Sequence, residues 1–132
     1  MPLLIRAYPL HRNYETELTD FAGELASSRR EEAHGFYAGL GVARETWALQ
    51  RIAGEPWLIG VTQVEGDLHA TAARFAAADD EFSRWFKQRV HALSSIDPNT
   101  EPLGPPSRVI FDWRPDRVSA SANLAIAPEA AD

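Results

Sequence analysis

Four histidines, four tryptophans and a scatter of arginines are the residues of this chain with most capacity for chemistry. Metal ligation by histidines on one element needs partners at i, i+4 on a helix or at i, i+2 on a strand. His11, His34, His69 and His91 meet neither condition, so they read as separate surface or capping histidines, and no metal is expected. The chain has no cysteine, which excludes disulfides, thiolate nucleophiles and cysteine-held zinc or iron–sulfur centres. Neither a G-x-S-x-G elbow, nor a phosphate-binding loop, nor a dinucleotide fingerprint occurs. Gly39-Leu40-Gly41 reads as a helix end, not as a phosphate cradle, and no cofactor is expected.

The tryptophans are the more unusual feature. Trp47 and Trp57 fall on consecutive predicted strands, Trp85 shares a helix face with Phe82 and Phe86, and Trp113 ends the last predicted strand. Core packing is the simplest use for such rings, since each buries a large apolar area. A pocket between helices and sheet is the functional alternative, with Tyr37, Trp47, Gln50, Trp57, His69, Trp85 and Trp113 as candidate lining. Arg51 is the cation expected to steady an anion or enolate there.

The elements that position these residues follow from periodicity. Leu3 to Tyr8 alternates as a first strand that Pro9 stops. Asn13 is an expected helix N-cap, followed by Tyr14, Leu18, Phe21, Ala22 and Leu25 at helical spacing. The pattern breaks near Ser27–Ser28 and resumes through Ala33, Phe36, Tyr37 and Leu40, with Gly41 suited to the left-handed helix end. Residues 44–52 and 57–64 read as a hairpin turning at Ala53-Gly54-Glu55-Pro56. Asp67 and Asp80 are expected to cap two further helices, the second burying Phe82, Trp85, Phe86, Val90 and Leu93. A proline-rich loop over 97–106 leads to a fourth strand at 108–114.

This order predicts an α+β fold of ferredoxin-like βαββαβ type, with a four-stranded antiparallel sheet and helices on one face. One domain spans residues 1–114, and residues 115–132 form a C-terminal tail, flexible or anchored on a neighbour through Val118, Leu124 and Ile126. Alternation places Ile5, Trp47, Leu49, Ile59, Val61, Val109 and Phe111 under the helices. The opposite face then holds Arg6, Tyr8, Arg44, Thr46, Gln50, Leu58, Thr62, Val64, Ile110, Asp112 and Arg114. A face so mixed suits packing against a second copy, and a homodimer is the expected assembly.

A formal net charge of −6 disfavours binding to a phosphate backbone, so no nucleic-acid partner is expected. Arg6 interrupts the only apolar stretch near the N-terminus, so neither a signal segment nor a membrane partner is expected and a cytoplasmic location is the default.

Three segments carry a resemblance: Arg44-Glu45-Thr46-Trp47-Ala48-Leu49-Gln50, Asp79-Asp80-Glu81-Phe82-Ser83-Arg84-Trp85-Phe86, and Phe111-Asp112-Trp113-Arg114. They resemble a bacterial family of unknown function. That family is similar in architecture to the dimeric α+β barrel superfamily, which includes antibiotic-biosynthesis monooxygenase-like proteins. Over residues 3–114 the resemblance implies a ferredoxin-like fold and sheet-to-sheet homodimers. In such barrels the pocket between sheet and helices holds planar ligands such as aromatic polyketides or haem. It carries over no catalytic residue. Two readings of function follow. The first is a homodimeric small-molecule-binding or accessory protein for an apolar or aromatic ligand. The second is a cofactor-independent monooxygenase, cyclase or isomerase acting on an aromatic substrate; such an enzyme needs only a shaped pocket and one acid or base. A protein-interaction module is a third, lesser reading.

Overall fold

Ala53 and Gly54 both take positive φ, 52° and 81°, and turn the chain through a two-residue loop of the kind that suits the twist of a tight hairpin. That loop joins β2 (Val42–Ile52) to β3 (Glu55–Val64). β1 (Leu3–Pro9) pairs with the other edge of β3, so the antiparallel sheet runs β1-β3-β2. Opposite Gly60 stand Arg6 on one side and Trp47 on the other; opposite Thr62 stand Leu4 and Glu45. The computed structural model describes residues 1–101 and 107–120.

Two helix pairs connect the strands and cover one sheet face. α1 (Glu15–Ala26) and α2 (Arg30–Leu40) lie between β1 and β2. α3 (Leu68–Ala77) and α4 (Glu81–Ser94) follow β3. Asp67 and Asp80 cap as expected: the Asp67 carboxylate accepts from the His69 amide, and that of Asp80 accepts from the Ser83 amide and hydroxyl. The Ser83 hydroxyl bond holds the Asp80 carboxyl below its usual pKa. Gly41 ends α2 in the left-handed conformation at φ 80°, where glycine carries no Cβ penalty. The freed Leu40 carbonyl accepts from Thr71 Oγ1 and Arg74 Nη1, which docks the end of α2 onto α3. Asn13 does not cap α1. It takes φ 64° in the preceding turn and leaves Tyr14 at the cap position without a side-chain bond. Asparagine tolerates that backbone better than most residues, so the turn has used it.

The core lies between sheet and helices and is dominated by aromatic rings. Phe21 is fully buried, with ring centroids 5.3 to 5.4 Å from Trp47, Trp85 and Phe86. Phe36 packs on Tyr37, Phe75, Phe82 and Phe86. Each such side chain contributes about 1.5–3 kcal/mol on burial. Trp85 also stacks against two guanidinium groups, Arg29 at 4.2 Å and Arg89 at 4.9 Å. Lys87 clamps the far end of this layer: its buried ammonium donates to Ala76 O, Ala78 O and Asn99 Oδ1.

Two sequence expectations are corrected. Ile5, Ile59 and Val61 do not face the helices. The covered face carries Tyr8, Leu58, Thr62 and Val64, together with Arg6, Glu45 and Trp47. Polar residues can occupy it because they satisfy one another across the strands. The last strand is also shorter and differently paired. β4 (Phe111–Arg114) joins β5 (Arg117–Ala120) in a separate two-stranded sheet, so the main sheet has three strands among the described residues. β5 falls in the stretch read as tail. Ile110 and Phe111 are 61% and 64% exposed, not members of either main-sheet face. Leu124 and Ile126 lie outside the described residues, as does part of the proline-rich loop.

Candidate functional site

Gly60 sits in the middle of the central strand, and its missing side chain shapes the site. A Cβ there would lie 3.0 Å from Arg6 Nη2 and 3.5 Å from its Cζ. The arginine therefore lies flat across the sheet over Gly60 and reaches β2. Its Nη2 donates to Glu45 Oε2 at 3.0 Å and to Thr62 Oγ1 at 2.8 Å. Thr62 in turn donates to Glu45 Oε1 at 2.6 Å, and the Trp47 indole donates to Glu45 Oε2 at 2.7 Å. Both carboxylate oxygens are thus occupied by donors from three strands. The Arg6 and Glu45 side chains are only 14% and 13% exposed, a depth at which an ion must be paired to remain charged.

This ion pair floors a cavity of about 60 Å³. Its walls are Tyr8 and Leu58 from the sheet, Phe36 and Tyr37 from α2, Phe75 from α3, and Phe86 and Val90 from α4. Ile96, Pro98 and Glu101 complete the lining. The Tyr8 and Tyr37 hydroxyls make no hydrogen bond with any described residue. Burial raises the pKa of both phenols; the Glu45 charge pushes the same way and Arg6 opposes it. Both are neutral donors at ordinary pH. A wider cleft of about 580 Å³ opens between α1, α2 and β2, and shares Tyr37, Val42, Glu45 and Trp47 with the cavity as a common wall.

Of the residues expected to line a pocket, the structure brings Tyr37 and Trp47 together at this cavity. The others lie elsewhere. Trp57 and Gln50 share the opposite sheet face. His69 is exposed on α3, and Trp85 stacks between Arg29 and Arg89 outside the lining. Trp113 is 64% exposed on β4. Arg51 pairs with Glu15 and the Gly54 carbonyl, so Arg6 takes the cationic place. Arg6 and Asp112, both placed on the face opposite the helices, pair with Glu45 and Arg114 respectively. The residues missed were Arg6, Tyr8, Glu45 and Thr62. One signal for them was present, since a glycine inside a strand marks a close approach by another group.

No family model matches the chain, and neither a curated protein nor a solved structure matches it. Among the described residues, no group of three or more His, Asp and Glu is placed to hold a metal ion. No described helix is long and apolar enough to cross a membrane.

Proposed function

We propose that this domain binds a small molecule in the cavity between its sheet and helices. One observation carries the reading: Arg6, in the floor of an aromatic-walled cavity, has a buried Nε–H without a partner among the described residues. Buried polar groups ordinarily find partners within the protein or in water, so an unsatisfied N–H at a cavity points to an occupant. The cavity holds about two waters at their share of liquid volume, and a benzene-sized guest needs roughly 150 Å³. The head of a ligand therefore fits as the cavity stands.

The catalytic alternative, cofactor-independent turnover of an aromatic substrate, needs a group ready to take or give a proton near neutral pH. Glu45 has both oxygens engaged, and Tyr8 and Tyr37 hold their protons. Binding is therefore the reading the geometry favours. A fragment screen followed by amide and indole NMR tests it. Shifts should concentrate on Trp47, Tyr37 and Phe86. Fragments that bind only elsewhere, or none that bind, would end the reading.

The assembly we infer is a homodimer through the uncovered sheet face. Ile5, Ala7, Ala48, Trp57, Ile59 and Val61 line that face, with Arg44, Thr46, Gln50 and Gln63 among them. The chain carries 19 acidic residues, yet Glu55, beside the hairpin turn, is the one acidic strand position on that face. A two-fold axis brings like residues together, so a patch poor in charge suits a second copy of itself. The strand order β1-β3-β2 fits a ferredoxin-like frame whose fourth strand would lie beside β1. The Ser107 hydroxyl, just before β4, donates to the Ile5 carbonyl on that free edge.

A further inference from the structure

We infer that the cavity selects an uncharged hydrogen-bond acceptor, a carbonyl compound with an apolar body, and rejects carboxylates of the same size. The inference rests on the binding reading above and adds the chemistry of the ligand.

Three features carry it. First, the floor is electrically closed. Arg6 is the cation of the cavity, and Glu45 neutralises it at 3.0 Å with its carboxylate fixed by Thr62 and Trp47. An incoming anion finds no uncompensated positive charge, and it meets Glu45 at close range in a poorly solvated space, where like charges repel most strongly. Second, the buried group left without a partner is a donor, Arg6 Nε–H, and the Tyr8 and Tyr37 hydroxyls, which make no hydrogen bond with a described residue, can donate beside it. An oxygen acceptor satisfies such groups; a hydrocarbon does not. Third, the walls are aromatic and aliphatic, so the remainder of the ligand gains by being apolar. Burial is the largest cause opposing negative charge on both phenols; Glu45 adds to it more than Arg6 relieves it at Tyr37, and the order of those two is reversed at Tyr8.

The test uses three probes of equal heavy-atom count: 2-butanone, propionate and 2-methylbutane. Each is titrated into the full chain at neutral pH, with the Trp47 indole and cavity amides followed by NMR. A neutral hydrogen bond is worth about 0.5–1.5 kcal/mol, so the ketone should bind roughly threefold to tenfold tighter than the hydrocarbon. Propionate should bind at least about tenfold more weakly than the ketone, the penalty of burying an ion beside a like charge. Tyr37→Phe and Tyr8→Phe should each shrink the advantage of the ketone over the hydrocarbon. Propionate binding as tightly as the ketone would overturn the selectivity and leave the cavity as the site. Full ketone preference in both tyrosine variants would overturn it as well. Failure of all three probes to shift the cavity signals would overturn the binding reading itself.

Discussion

Removing both partners of the Arg6–Glu45 pair should cost less than the sum of removing each alone. The perturbation is a cycle: Arg6→Met, Glu45→Met and the double variant. Breaking a buried ion pair by deleting one partner costs about 3–5 kcal/mol, because the other charge is left uncompensated. The two side chains keep 14% and 13% exposure, which admits some solvent screening and lowers the expectation to about 2–4 kcal/mol for each single variant. The double variant strands no charge. It leaves Thr62 Oγ1 and the Trp47 indole without their acceptor, at about 1 kcal/mol each. The two single losses together then exceed the double by at least about 2 kcal/mol, a coupling within the range measured for residues in one network. Each single loss is smaller than the 5–15 kcal/mol stability usual for a domain, so all three variants should still fold. Urea unfolding followed by far-ultraviolet circular dichroism reads the cycle. Losses that add to within about 0.5 kcal/mol would show that the two residues do not act as a pair, and would refute the charge-closed floor.

Phe21→Ala should destabilise by about 3–5 kcal/mol, because a fully buried ring with three aromatic neighbours leaves a cavity that they cannot fill; a loss under 1 kcal/mol in urea melts would contradict its place at the centre of the core. Ile59→Glu should leave only monomer in sedimentation velocity where the proposed homodimer forms in the parent chain, since a two-fold axis would set two carboxylates against each other on the apolar face. An unchanged sedimentation coefficient would move the interface elsewhere. Alkaline pH should weaken the fold through Tyr37. Its folded pKa is raised, so its contribution is complete below the ordinary tyrosine value of about 10 and is lost as pH rises through that value towards the folded one, the unfolded chain shedding its proton first. Tyr37→Phe should flatten the alkaline fall of the urea midpoint, and an identical fall in both proteins would count against a buried, protonated phenol.

Much of the scaffold was legible because its signals are local. Asp67, Asp80 and Gly41 each act within a few residues of their own helix end, and the structure finds them where side-chain chemistry puts them. The Ala53-Gly54 turn was legible for the same reason. What failed was non-local. Arg6 and Thr62 fell on the mixed face opposite the helices because alternation assigned β1 and β3 to the wrong faces, and Glu45 was given no place in the site. Their partners lie 39, 17 and 56 residues apart along the chain, a pairing that periodicity cannot see. Trp57, Ile59 and Val61 then drew the core to the wrong side. The candidate site was half legible: the aromatic character of Tyr37 and Trp47 pointed to the cavity, but its polar floor is a product of strand register.

The flat path of Arg6 over Gly60 has a consequence for how this sequence can drift. A methyl group at position 60 meets Arg6 Nη2 at 3.0 Å, so any side chain there pushes the guanidinium off its place and strains its bonds to Glu45 and Thr62. An arginine lost first would leave Glu45 charged and stranded, which selects for a neutral residue at position 45. Positions 6, 45, 60 and 62 therefore behave as one inherited unit spread over three strands. Descendants of this chain should keep all four or exchange them together, so that correlated substitution at these positions records the site even where the rest of the sequence has diverged.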